Sequence, residues 1–111
     1  MRLSVQRGGG MIHVVMDEKE LRTALVDRAI AHSSGTYRAT LVHVRSDPRS
    51  ADAVDLAFTA GRLDGTGDTI RGELHVSLDT FNDRPYLLEA IDNTVTAILD
   101  GRLPPGTVQL L

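Results

Sequence analysis

The chain has 111 residues, of which 41% are hydrophobic and 24% charged, an ordinary composition for one globular domain. It contains no cysteine, which excludes disulfides and zinc–thiolate sites, and its net charge of −3 argues against bulk attraction to nucleic acid or anionic membranes. No apolar run approaches the roughly 18 residues that a membrane span needs, and no signal-peptide pattern is present, so we expect a soluble, cytoplasmic protein.

Three glycines precede Met11 at the start of the chain. Because consecutive glycines fix no backbone conformation and bury no side chain, we expect residues 1–10 to be a flexible lead-in. Met11 is then the hypothesised natural start. Residues 2–6 could instead pair as a short edge strand. The rest of the chain, residues 11–111, is predicted to be a single α/β domain.

The first half of this domain predicts a strand, a helix and a second strand. Residues 12–16 alternate between two faces, as in a short strand. Asp17 and Glu20 have capping-box spacing, and apolar positions between residues 21 and 30 form one face of a helix that ends near Gly35. Residues 37–44 are apolar on both faces, which favours a central strand. The two strands are therefore predicted to be parallel, with a right-handed crossover.

The second half predicts an antiparallel meander followed by another helix. Residues 54–60 and 70–79 alternate with period two on either side of the glycine-rich segment 61–68, which is typical of a hairpin. Apolar residues then recur at helical spacing, with Pro85 in the first turn and Gly101 just past the end. Residues 107–111 predict a closing edge strand. The order β-α-β-β-β-α(-β) predicts an α/β (α+β) two-layer sandwich, a mixed sheet with two helices packed on one face.

The sequence contains none of the established catalytic signatures, neither G-x-S-x-G, Walker A, H-E-x-x-H nor the Rossmann fingerprint. The segment 61–68 has no lysine and leads into a strand, so phosphate binding is not indicated. We therefore predict a non-enzymatic protein with no catalytic residues and no cofactor. A small α/β enzyme and an inhibitor- or immunity-type binding protein are the alternatives.

Helices on one face leave the other face of the predicted sheet open to a partner. An open face with apolar side chains beside an unpaired edge strand is typical of self-association. We predict that the protein forms a homo-oligomer through this face or edge and also binds other proteins, whereas nucleic acid and membrane are not expected as partners. The predicted partner-binding residues are Arg71, Glu73, His75, Ser77, Asp79, Tyr37 and Leu41.

Three histidines would share this open face if the strands are arranged as predicted: His13, His43 and His75. Imidazoles beside carboxylates such as Asp55 and Asp79 could bind a transition metal or respond to pH. No pair of these histidines has compact ligand spacing. We therefore predict no metal site and retain the three histidines as the candidates.

The order of elements resembles that of tail-terminator and tail-completion proteins of long-tailed phages. Those proteins set a helix, a meander and a helix that ends in a pattern like Ile98-Leu99-Asp100-Gly101 before a closing strand, a similarity that covers roughly residues 17–111. The strand predicted at residues 12–16 departs from their pattern. The resemblance implies a ring-forming structural protein of the virion tail that needs no catalytic residues and assembles through sheet faces and edges.

The chain also resembles the ribosome hibernation factors, which are small β-α-β-β-β-α domains. The residues that carry this resemblance are Leu21-Arg22, Val26 and Ile30 in the first helix and Tyr86 and Ala90-Ile91-Asp92 in the second. It implies a ribosome-associated protein. Those factors present basic helix faces to RNA, whereas the first helix here is acidic at its start. The tail-completion hypothesis is therefore preferred, and the ribosome-associated one is the alternative.

Overall fold

The computed structural model describes residues 10–46, 49 and 52–110, with side chains from Glu18 onward. Its elements in chain order are α1 (Gly10–Val26), β1 (Ile30–His32), β2 (Gly35–Ser46), β3 (Ala53–Arg62), β4 (Ile70–Ser77), α2 (Leu78–Asn82), α3 (Arg84–Leu99) and β5 (Val108–Leu110). The strands form one sheet in the order β1-β2-β3-β4-β5, antiparallel from β1 to β4, with β5 parallel to β4. The predicted α+β class is confirmed.

The strand predicted at residues 12–16 is wrong, because these residues belong to α1. Ile12, Val15 and Met16 are spaced i, i+3 and i+4, which is helical spacing as well. Five residues are too few for the period alone to separate a strand from the first turns of a helix. The lead-in predicted for residues 1–10 and the alternative edge strand at residues 2–6 lie outside the described residues, apart from Gly10, where α1 begins.

The chain turns into the sheet earlier than predicted. Helix α1 ends at Val26, and Ile30 starts β1, which pairs antiparallel with residues 35–37 of β2. A two-residue turn separates His32 from Gly35, whose φ of 146° is one that side chains rarely adopt. The predicted parallel pair across the first helix is therefore wrong. The parallel pair among the described strands is β4 with β5, which are connected through α2 and α3.

Strand β2 contains a bulge at Val42, where the register passes from Leu41 opposite Phe58 to His43 opposite Ala57. An extra residue reverses the alternation of side chains beyond it. Side chains on both sides of the bulge therefore reach the same core, which explains why residues 37–44 are apolar at both odd and even positions.

The predicted position of Tyr37 and Leu41 on the open face is wrong for the same reason. Tyr37 is 5% exposed and Leu41 is 3% exposed, and both belong to the hydrophobic core. Val44, beyond the bulge, also packs against that core.

A short helix that the sequence pattern did not indicate follows β4. The Oγ of Ser77 accepts a hydrogen bond from the backbone N–H of Thr80 at 3.1 Å and so caps α2. Asp79 therefore lies in the first turn of α2, and its predicted place in the outward row of β4 is wrong. Pro85 in the first turn of α3 and Gly101 after its end, with a φ of 76°, confirm the predicted second helix.

One hydrophobic core joins the sheet to the two long helices. None of the described helices is both long and apolar enough to cross a membrane. The largest fully buried side chains are Phe58, Phe81, Leu21, Leu25, Leu56, Leu74, Leu87, Ile91, Val54, Val76 and Val95, which come from α1, β3, β4, α2 and α3. The sheet face that carries Leu56, Phe58 and Leu74 thus faces the core, and the opposite face is the one on which a surface site can lie.

Candidate functional site

The face of the sheet opposite the core, here called the outer face, carries polar side chains from β2, β3 and β4. The pairing register places two rows across these strands: His43, Ala57 and Glu73, then Arg45, Asp55 and His75. The small side chain of Ala57 is fully buried between its longer neighbours. The middle of the outer face is therefore lower than its sides.

A groove of about 650 Å³ runs over this part of the outer face. Its polar lining residues are His43, Arg45, Arg49, Asp55, Arg71, Glu73 and His75, and its apolar side chains are Val108 and Leu110. Leu56 and Leu74, whose side chains belong to the core, also border the groove. Four strands and the β2–β3 connection contribute to it. The groove depends on the register of the whole sheet rather than on any single sequence motif.

His75 and Asp55 form the closest polar contact in the groove. They are register partners on β4 and β3, and His75 Nδ1 lies 2.5 Å from Asp55 Oδ1. This contact orients the imidazole ring of His75 and gives the Asp55 carboxylate a partner inside the protein.

The second carboxylate of the groove, that of Glu73, also has a partner within the protein. Arg71 Nε lies 3.4 Å from Glu73 Oε2, on the same strand and the same face. By contrast, within the part of the chain that the structure describes, the side chains of Arg45 and His43 form no hydrogen bond or ion pair. The groove therefore has its negative groups paired internally, while a guanidinium group faces it without a carboxylate.

Strand β5 provides the apolar side of the groove. Val108 and Leu110 are 49% and 76% exposed, and their register partners on β4 are Glu73 and His75. Each partner pair sets an aliphatic side chain beside a charged or polar one. The groove can therefore contact both a charged group and an apolar group of a ligand.

Comparison with known proteins does not assign this site. No protein-family model, curated protein or solved structure matches the chain.

The structure brings together some of the predicted site residues and separates others. Arg71, Glu73 and His75 line the groove, whereas Ser77 caps α2 at the end of β4. The remaining three predicted residues lie elsewhere: Asp79 in α2, and Tyr37 and Leu41 in the core.

The three candidate metal ligands are not arranged as predicted. His43 and His75 both line the groove, but His13 is in α1 and not in the sheet. Among the described residues, no group of three or more histidine, aspartate or glutamate side chains is arranged to hold a metal ion.

Arg45, Arg49, Val108 and Leu110 are groove residues that the sequence analysis missed. A signal for Arg45 exists, because it is two residues after His43 and so lies on the same face of β2. No comparable signal exists for Val108 and Leu110, since only the pairing of β5 with β4 places them beside the groove.

A second polar cluster lies away from the groove and joins the β1–β2 turn to the end of α3. His32 Nε2 is 2.7 Å from Asp100 Oδ1, and His32 Nδ1 is 2.8 Å from Ser34 Oγ, which is also 3.0 Å from the Tyr37 hydroxyl. The hydrogen bond from His32 lowers the pKa of Asp100 below its usual value. Ser34 also donates its backbone N–H to His32 Nδ1, so the cluster ties the turn to the helix.

Local contacts outside the groove shift the pKa values of two further groups. Hydrogen bonds to the Asp92 carboxylate raise the pKa of Arg28, which links the end of α1 to α3. Hydrogen bonds from Thr66 lower the pKa of Asp64 in the β3–β4 hairpin. Both contacts stabilise local structure.

Proposed function

We propose that this protein is a non-enzymatic interaction protein that forms a homo-oligomer through the edge strand β5 and the adjoining outer face. The observation that carries this proposal is the exposure of Val108 and Leu110 on β5. β5 pairs with β4 on one side, and no described strand pairs with it on the other. An edge strand with exposed aliphatic side chains favours pairing with another chain.

The β2 side of the sheet is less suited to pairing. β1 pairs with residues 35–37 alone, but the guanidinium group of Arg22 donates to the backbone oxygens of Leu41 at 2.7 Å and of Val42 at 3.4 Å. The bulge at Val42 also distorts this part of β2. A charged side chain and a bulge are both features that prevent edge-to-edge pairing, which supports β5 as the associating edge.

A tail-completion component of a phage virion is the most specific form of the proposal. The described order of a helix, a meander, a helix and a closing strand is the order that this resemblance implies. A ring-forming protein of this kind needs a self-associating edge and no catalytic machinery, which agrees with the proposed role of β5.

Light scattering coupled to size-exclusion chromatography tests the proposal, with Leu110→Asp as the disrupting variant and Leu63→Asp as its control. Leu63 is 49% exposed in the β3–β4 hairpin, away from β5. Complete burial of a leucine side chain contributes about 1.5–3 kcal/mol, so its replacement by a charge should weaken association by at least about tenfold.

We expect the wild type and Leu63→Asp to be oligomeric and Leu110→Asp to be monomeric at the same concentration. Thermal denaturation confirms that each variant is folded. A wild-type protein that stays monomeric up to about 1 mM, a concentration at which even weak association with a Kd in that range is populated, would refute self-association.

A further inference from the structure

We propose that two copies of the chain associate as an antiparallel pair of β5 strands, related by a two-fold axis that passes beside Gln109. This inference rests on the proposed function, which assigns self-association to β5. It goes further in naming the orientation of the partner copy, the residues that face each other and the number of copies that the β5 contact joins.

The two edges of the sheet differ in what they offer a second copy. β5 presents Val108 and Leu110, which are exposed, whereas the three residues of β1 provide no exposed large hydrophobic side chain. Beyond β1, the guanidinium group of Arg22 occupies the backbone oxygens of Leu41 and Val42. Pairing of β5 with the far edge of the next copy would therefore leave its aliphatic side chains without an apolar partner. Pairing of β5 with β5 sets them against each other.

Contact between two identical edges fixes the direction of the strands. Such a contact is two-fold symmetric, because each copy gives and receives the same surface. An antiparallel pair has this symmetry, since opposed residues exchange equivalent hydrogen bonds, whereas the slanted bonds of a parallel pair do not have it. The β5 strands of two copies therefore run antiparallel. The contact joins two copies only, and a ring would be built from these dimers through a second contact.

The length of β5 sets the register of this pair. The strand consists of Val108, Gln109 and Leu110. All three residues pair with the partner's β5 only if Gln109 faces the partner's Gln109, which places Val108 opposite the partner's Leu110. Opposed side chains of an antiparallel pair lie within contact distance of each other. The four aliphatic side chains of the two strands then form one apolar cluster on the outer face.

This register also keeps like charges apart. β5 has no charged side chain, and Val108 and Leu110 are the register partners of Glu73 and His75 on β4. Across the dimer, the row that begins at Glu73 continues through Val108 and the partner's Leu110 to the partner's His75. Each row therefore contains one carboxylate and one imidazole, and no two carboxylates are opposed. Like charges in opposed positions would destabilise the pair.

Cysteine cross-linking tests the register, because the chain contains no cysteine of its own. Opposed residues of antiparallel strands have Cα atoms about 4.5–5.5 Å apart, which is within the span of a disulfide. Gln109→Cys should therefore form a disulfide with the same cysteine of the partner copy. Thr107→Cys is the matched control, because Thr107 is exposed just before β5 and would lie more than about 10 Å from the partner's Thr107.

We expect oxidised Gln109→Cys to form disulfide-linked dimers at least about tenfold faster than Thr107→Cys at the same concentration, because pairing raises the effective concentration of opposed thiols. An equimolar mixture of Val108→Cys and Leu110→Cys should also cross-link faster than either variant alone. These two positions are opposed between copies, whereas each lies diagonally from itself at about 7–8 Å. The mixture keeps the inference falsifiable even if Gln109→Cys fails to fold.

Light scattering on the wild type separates the failure of this inference from the failure of self-association. The β5 pairing is refuted, and self-association stands, if the wild type is oligomeric but Gln109→Cys cross-links no faster than Thr107→Cys and the mixture no faster than its components. Head-to-tail association would give that result. A wild type that stays monomeric up to about 1 mM would refute both.

Discussion

Replacement of Gly72 by alanine tests the packing that supports the groove. Gly72 lies in β4 between the groove residues Arg71 and Glu73, and its register partner on β3 is Phe58. A Cβ atom at Gly72 would lie 2.3 Å from Phe58 Cζ and 2.7 Å from Cε2. Phe58 is fully buried, so its ring cannot move into solvent to relieve the contact.

Two effects of opposite sign determine the change in the free energy of unfolding that we expect for Gly72→Ala. Overpacking of a core costs about 1–3 kcal/mol, because side chains and backbone must shift to make room. Replacing glycine by alanine inside a strand stabilises the fold by about 0.5–1 kcal/mol, because alanine loses less backbone entropy on folding. The overpacking term is larger, so we expect Gly72→Ala to lower the free energy of unfolding by about 0.5–2 kcal/mol and the melting temperature by about 2–8 °C.

Urea denaturation followed by circular dichroism measures this change, with Gly61→Ala as the control. Gly61 is also a strand glycine, but the nearest atom to an added Cβ is Thr69 Oγ1 at 3.6 Å, which is ordinary contact. Gly61→Ala should therefore be as stable as the wild type or gain up to about 1 kcal/mol. A Gly72→Ala variant that unfolds at the wild-type urea midpoint, or a Gly61→Ala variant that loses as much stability, would refute overpacking against Phe58 as the cause.

Three further changes test local contacts. Ser77→Ala removes the N-cap of α2 and should lower the free energy of unfolding, measured by urea denaturation, by about 1 kcal/mol. Ser77→Asp keeps a hydrogen-bond acceptor and should be as stable as the wild type. Equal losses in the two variants would contradict the capping role. Arg28→Ala removes the hydrogen bonds to Asp92 and should cost no more than about 1 kcal/mol, because both side chains are partly exposed; a loss that stays the same in 1 M NaCl would exclude an electrostatic contribution. The hydrogen bond from His32 lowers the pKa of Asp100, so its stabilisation is complete above the usual aspartate pKa of about 3.9 and disappears as the pH falls through the lower folded value. Asp100→Asn should thus be less stable than the wild type at pH 7, and the two should converge as the pH falls through the lowered pKa of Asp100 in the folded protein. A difference in urea midpoint that stays constant with pH would disprove the linkage.

The fold was predictable where the hydrophobic pattern extends over many residues and one face of the element packs against the core. The alternation along β4 placed Arg71, Glu73 and His75 on one face, and the spacing of apolar residues before Gly101 identified α3. Predictions failed where a short pattern fits two structures, as at residues 12–16. They also failed at Val42, because a bulge reverses the alternation without leaving a mark in composition.

The candidate site was predictable in part, because the face of a side chain follows from its own strand, whereas its neighbours depend on how the strands pair. His75 could be assigned to the outer face from β4 alone, but its bond to Asp55 requires the register between two strands. Arg45 could be assigned to the face of His43 from β2 alone, but its position opposite Asp55 requires the pairing of β2 with β3. Val108 and Leu110 joined the groove through a parallel pairing across about thirty residues of intervening chain, which local patterns do not encode.

The sequence by itself determined the α+β class, the β3–β4 hairpin and the second helix, because these follow from residue periodicity and from turn and cap residues that act within a few positions. The tertiary structure decided the direction of the first strand pair, the burial of Tyr37 and Leu41, and the groove. Those features depend on which strands become neighbours and in which register. That choice is made by burial of one common core, to which residues far apart in the chain contribute together.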